Sequence, residues 1–191
     1  MARTPVNVER LSARVLLLFR EADRAARKFG RRAGIACPAG CGDCCRDDRP
    51  EASPLSLLPL ALHVVRLNGA EELLERTENP PDRPCIFYTP DPLAGHCTVY
   101  PLRPLLCRLF GFAGRRDKHG NIEFRSCRRM APPPAPCPRP PLFSTWHMRL
   151  EVIYPPLAEI LPLPQAMRRA LLWVLLHQAL RPPRMRGTRA A

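Results

Sequence analysis

The sequence predicts a mainly α protein: a small, irregular helical domain with little or no sheet. Three observations carry that expectation. Residues 6–29 place Val8, Leu11, Val15, Leu18, Ala22, Ala25, Ala26 and Phe29 at helical spacing, with arginines on the other face. Twenty-five prolines in 191 residues keep every regular element short. Alternating apolar and polar runs, the mark of half-buried strands, are almost missing.

Each element follows from local chemistry. The first helix ends near Gly30 and Gly34. A dense run of cysteines occupies 37–45, and a charged loop runs from Arg46 to Glu51. Ser53 is an N-cap with Pro54 at the first helical position, and leucine-rich residues 54–67 read as a buried helix despite Pro59. Gly69 breaks it, and Ala70 to Glu78 form a short, more polar helix. Asn79 to Pro84 is a loop. Residues 121–125 follow a Lys-His-Gly-Asn turn and read as a short strand. Residues 131–141 hold seven prolines and are expected to run as an extended linker. Residues 143–153 and 165–180 read as helices, and 181–191 as a disordered basic tail. The expected organisation is an N-terminal helix at 1–36, a cysteine-rich domain at 37–130, a proline-rich linker at 131–142, C-terminal helices at 143–180 and the tail.

The formal charge is +13, and it is uneven. Residues 1–100 carry 14 basic and 13 acidic side chains, whereas 101–191 carry 16 and 4. Only Lys28 and Lys118 are lysines. A basic C-terminal half suits an acidic protein partner, a membrane surface or nucleic acid. Nucleic acid is disfavoured, because the arginines are dispersed among prolines without a row of aromatic residues for base stacking. No secretory signal is expected, since the N-terminus lacks an uninterrupted apolar stretch. The longest apolar run, Ala170 to Leu176, is seven residues, far short of the roughly 20 that a membrane span needs. The expected compartment is the cytoplasm.

Nine cysteines are the dominant chemical signal. In a reducing cytoplasm disulfides are disfavoured, and an odd count cannot pair fully. Both points favour a metal. Cys37-x3-Cys41-x2-Cys44 puts three thiols on one face if the segment is helical; alternatively Cys41-Gly42-Asp43-Cys44 is a knuckle, with Gly40 and Gly42 favouring a tight turn. The adjacent thiols of Cys44 and Cys45 point in different directions, so one serves a first centre and the other a second, or stays free. Two four-cysteine sites would consume eight thiols, and one iron–sulfur cluster would consume four. Two such divalent sites would lower the net charge to about +9. The same triplet spacing occurs in radical S-adenosylmethionine enzymes. Their strand-rich barrels have no counterpart here, and Asp43 stands where they carry an aromatic residue.

A second group of cysteines lies at Cys85, Cys97 and Cys107. Together with 37–45 it resembles the YkgJ-type cysteine-cluster family, described as a zinc- or iron-chelating domain. That family opens with a Cys-x-x-Cys-x-x-Cys-Cys-like motif. A further cysteine, a loop, and a segment of the form Cys-x-(Ile/Val)-Tyr-x-x-Arg-Pro-x-x-Cys-Arg follow. These fall on Cys85, Cys97, Val99, Tyr100, Arg103, Pro104, Cys107 and Arg108, and Cys127-Arg128-Arg129 fits a later family cysteine. The opening departs by one residue between Cys37 and Cys41, and Cys137 lies beyond the match. The resemblance implies metal ligation by Cys37, Cys41, Cys44, Cys45, Cys85, Cys97, Cys107 and Cys127. It also admits an iron–sulfur centre, because flagellin lysine-N-methylase has a similar cysteine cluster.

Around these residues, Pro104 suits a first helical turn with Cys107 one turn later, and Arg103 and Arg108 would favour thiolates. Amides after Gly42 and Gly95 are expected to donate to sulfur, and the Tyr100 ring to pack in the core. His63 and His177 read as buried or half-buried helix residues, Trp146, Trp173 and Met148 as core, and His119 as a turn residue. His96 is a weaker ligand candidate than the thiols, and Asp47, Asp48 and Glu51 read as a solvated acidic loop. No Ser-His-Asp set, phosphate-binding glycine loop or paired carboxylates stand out, so hydrolase and phosphotransfer classes find no support and no catalytic residue is assigned. The expected function is chelation of zinc or iron by cysteine thiolates. The alternatives are an iron–sulfur redox protein or accessory to a methyl-transfer or oxidoreductase system, and a basic nucleic-acid-binding zinc module.

Overall fold

A computed structural model describes residues 6–38, 41–47, 50–81, 84–90, 95–133 and 135–180. The expected tail at 181–191, Gly40 and Asp48 lie outside the described residues.

Helix α1 runs Val8–Ala33. Asn7 caps its start, its side-chain oxygen accepting from the Arg10 amide at 2.8 Å. Gly34, at φ 62°, closes the end in the left-handed conformation that a β-carbon disfavours. Gly30 does not end the helix but lies inside it, buried. The apolar stripe from Val8 through Val15 and Ala22 to Phe29 and Ala33 is buried along the whole length.

Helix α2 is the single turn Asp43–Asp47, and strand β1 is Glu51–Ala52. Helix α3, Pro54–Arg66, starts on Ser53, whose hydroxyl oxygen accepts from the Ser56 amide at 3.2 Å. Every residue from Pro54 to Leu62 is buried, so α3 runs through the interior, and Pro59 is accommodated within it. Asn68, at φ 58°, turns the chain into α4, Ala70–Glu78.

The middle of the chain is irregular. Strands β2 (Tyr88–Thr89) and β3 (His96–Cys97) pair antiparallel, with Tyr88 opposite Cys97. A 3-10 turn at Tyr100–Leu102 leads to α5, Leu105–Leu109. Pro104 caps α5 rather than opening its first turn, one residue earlier than expected. Strands β4 (Arg115–Arg116) and β5 (Ile122–Glu123) form a second small hairpin, shorter than the strand expected at 121–125. Helix α6 is Phe143–Glu151, and α7 is Leu163–Ala179. Strand β6, Leu161–Pro162, pairs with β1 and brings the start of α7 beside Pro50. Among the described residues the three strand pairs are antiparallel and two residues deep, so the fold is mainly α with little sheet.

The core lies where α3 packs between α1 and α7, with α4 against α7 and α5 against α1. Its buried members include Val15, Phe19, Leu57, Leu58, Leu105, Leu109, Met167 and Leu171. A smaller cluster of Phe29, Ala33, Ile35 and Met130, flanked by Cys37 and Cys127, sits below the end of α1. Met148 is 57 % exposed, contrary to its expected place in the core, whereas Trp146 and Trp173 pack half-buried against it. His63 is exposed because it follows the last buried turn of α3; His177 is half-buried, its Nδ1 2.8 Å from the Trp173 carbonyl. No described helix is long and apolar enough to cross a membrane.

Candidate metal centre

Five short pieces of chain bring the thiols together. Cys37 follows the α1 cap, where the Ile35 amide bonds the Gly30 carbonyl at 2.9 Å. Cys41 is held in a turn on Pro38, its amide 3.2 Å from that carbonyl. Cys44 and Cys45 lie on α2, so the opening resolves as a turn followed by one helical turn rather than a continuous helical face. Cys85 is tied to the opening motif by its amide, which donates to the Cys45 carbonyl at 2.7 Å. Cys97 lies on β3, Cys107 on α5, and Cys127 in a turn closed by the Met130 amide at 2.8 Å.

The approach of these pieces depends on Gly42. A β-carbon there would stand 2.7 Å from the Gly95 carbonyl oxygen and 2.8 Å from the His96 Cα. Only a bare α-carbon lets the opening turn lie against the β3 strand this closely.

Cys37, Cys41, Cys44, Cys45, Cys85, Cys97, Cys107 and Cys127 all line one cavity of about 1060 Å³. Cys137 is exposed and lies outside it. Within the cavity the sulfurs fall into two neighbourhoods. Cys45 is within hydrogen-bonding reach of Cys44, Cys85 and Cys97, and Cys107 feels Cys44, Cys85 and Cys97. Cys37 instead feels Cys41, Cys127 and Cys44. Cys44 therefore stands between the two groups. No three Cys, His, Asp or Glu side chains among the described residues are arranged to hold an ion as they stand. A chelate here requires the thiols that burial and their neighbours hold protonated, Cys37, Cys45 and Cys107, to shed their protons.

The electrostatics record that form. Hydrogen bonds to Cys44, Cys85 and Cys97, then burial, push the Cys45 thiol far up, so it keeps its proton. The same bonding from Cys45 lowers Cys85 and brings Cys97 down to about 7. Backbone amides of Phe87 and Val99, two residues on, also donate to the Cys85 and Cys97 sulfurs. Burial, then the neighbouring Cys41, Cys127 and Cys44, raises Cys37 to about 11. Burial likewise pushes Cys107 up. Arg103 opposes this: its charge favours the thiolates of Cys37, Cys97 and Cys107. Its Nε is buried in the cavity wall without a partner. A soft, thiol-only donor set with a buried, unpaired cationic donor beside it fits an anionic metal–thiolate centre.

Residues 36–129 match the model of the CxxCxxCC family, whose description is "Putative zinc- or iron-chelating domain". Over this stretch the chain belongs to that family. No curated protein and no solved structure matches the chain.

All eight cysteines expected as ligands face the cavity of the CxxCxxCC domain, and Cys137 does not. His96 is exposed and does not line it. Of the acidic loop, Glu51 is exposed on β1 and outside the cavity. Tyr100 is 42 % exposed at the cavity rather than packed in the core, and Arg103 stacks 4.0 Å from its ring centre. Arg108, 7 % exposed, lines the cavity and donates to Asp23 at 2.8 Å and to the Arg103 carbonyl at 2.9 Å, and its charge also interacts with Cys107.

Sequence reasoning missed two carboxylates. Asp43, 3 % exposed, accepts from Arg129 at 2.7 and 3.1 Å and from Arg128 at 3.1 Å. The bonds from Arg129 hold its carboxyl down at about 2. This clamp ties the opening motif to the turn that carries Cys127. Asp23, on α1, anchors α5 through Arg108. The available signal was pairing: the CxxCxxCC domain places one acid between Gly42 and Cys44, and two arginines directly after Cys127.

Proposed function

We propose that the protein holds zinc or iron ions through cysteine thiolates in two adjoining centres. Cys37, Cys41 and Cys127 form one, Cys45, Cys85, Cys97 and Cys107 the other, and Cys44 lies between them. The observation that carries this reading is the convergence of eight cysteines, drawn from residues 37 to 127, on one cavity that excludes the ninth. The metal supplies strong metal–sulfur bonds that tie α2, β3, α5 and the Cys127 turn to one another, a brace for loops that bury little apolar surface. The chain's own residues prepare for it. Amides of Phe87 and Val99 stabilise charge on Cys85 and Cys97, and Arg103 offsets the thiolate charge.

The size of the cavity favours one further reading, an iron–sulfur cluster in place of isolated ions, serving electron transfer or a partner enzyme. Elemental analysis and an absorption spectrum of protein purified without oxygen separate the two. Zinc in a colourless protein supports structural chelation. Iron with acid-labile sulfide and a broad band near roughly 400 nm supports the cluster. Protein that takes up neither metal refutes both. Within either reading, Cys107→Ser lowers metal content and Cys137→Ser leaves it unchanged.

A further inference from the structure

Two arginines at the cysteine cavity have no partner among the described residues. Arg27 and Arg31 lie one turn apart on α1, line the cavity and are exposed. Neither makes an ion pair or hydrogen bond with any described residue. Among the described lining residues Asp23 is the single carboxylate, and Arg108 occupies it at 2.8 Å. The arginine whose charge registers at Cys37, Cys97 and Cys107 is Arg103, not these two.

The same cavity exposes two aromatic rings. Tyr100 is 42 % exposed and Phe110 40 %. Exposed rings lining a concave surface offer apolar contact area to a ligand. The cavity, at about 1060 Å³, is at the upper end of small-molecule pockets, and metal ions wrapped in sulfur would leave much of it to another occupant. Paired guanidinium groups suit a planar or tetrahedral oxyanion, and exposed rings suit a flat apolar body.

We propose that the mouth of this cavity binds a small organic anion, with Arg27 and Arg31 on its carboxylate or phosphate and Tyr100 and Phe110 against its planar apolar body. The ligand would lie within the same cavity as the thiols. The inference goes beyond metal chelation and does not depend on which metal, if any, is held.

The test titrates phenyl phosphate, benzoate and the neutral benzyl alcohol into the full chain as purified, by calorimetry and by NMR. Metal content is measured on the same samples. Phenyl phosphate or benzoate is expected to bind at least tenfold more tightly than benzyl alcohol, and whichever anion is preferred identifies the head group. The double variant Arg27→Gln, Arg31→Gln is expected to lose at least tenfold in that affinity while keeping its metal and its thermal stability. Tyr100→Ser is expected to weaken both anions and leave their order unchanged. Equal binding of anion and alcohol, no saturable binding at millimolar phenyl phosphate, or unchanged anion binding in the double variant would overturn the proposal. Metal loss in that variant would do so too, since it would assign these arginines to the thiolates.

Discussion

Asp43 joins the opening cysteine motif to the turn that carries Cys127. It is buried between the opening cysteines and the Cys127 turn, and three arginines converge on it, Arg128 and Arg129 through hydrogen bonds and Arg46 at 3.6 Å. Asp43→Asn keeps the shape but removes the charge that Arg128 and Arg129 address. Metal affinity, measured by competition with a chromophoric chelator, is expected to fall by about tenfold or more, as for other groups that orient ligands. The thiols make a second prediction at this scale. Cys37, raised to about 11, and the protonated Cys45 must lose protons before they bind metal. Affinity therefore rises with pH, by about one decade per pH unit for each proton released, between about pH 6 and pH 9. A metal affinity independent of pH in that range would show that the bound sulfurs are thiolates already. The cysteines were legible in the sequence because their residue type declares their chemistry. Asp43 was not, because an aspartate beside cysteines has the same composition whether it faces solvent or is buried by residues some 85 positions on.

At the level of elements, the helices were more legible than the joints. Val8 to Phe29 and Ser53-Pro54 carry their own periodicity and caps, and those signals act within a few residues. The small hairpins and the approach of α2 to β3 depend on partners distant in sequence. Gly42 marks that approach, and its replacement tests it. Gly42→Ala puts a methyl group into the Gly95–His96 backbone, with an expected cost of roughly 1–3 kcal/mol in thermal unfolding and a loss of metal. A stable, metal-replete Gly42→Ala protein would mean that the strand and the turn do not need this contact. Asp23 and Arg108 form the other joint, between α1 and α5. Asp23→Ala leaves the buried Arg108 guanidinium without its carboxylate and is expected to destabilise by roughly 2–4 kcal/mol, read from denaturant unfolding.

For the whole molecule, the division of labour lies between a leucine-rich helical core and a sulfur-lined flank. Helices α1, α3 and α7 share one continuous core and owe little to the cysteines. Metal removal by a chelator is therefore expected to strip hydrogen-exchange protection from 41–47, 85–98, 105–109 and 127–130. Amides in the middle of α1, α3 and α7 should stay protected. Global loss of protection would show that the core cannot stand without the metal. The mainly helical class was readable from proline content and helical spacing. The placement of the cavity was not, because it arises from five short pieces of chain whose meeting is written in no single stretch.

The Asp43 clamp also has a bearing on how the chain is made. It joins partners 85 and 86 residues apart, so the opening thiols wait for the last part of the site to leave the ribosome. At about 5–20 residues per second that interval is roughly 4–17 s. Throughout it Cys44 and Cys45 are neighbours without a fold around them, the state in which adjacent thiols are most open to oxidation or to capture by a stray ion. Protection of the thiols is thus a task for the nascent chain's surroundings before it becomes a property of the finished protein.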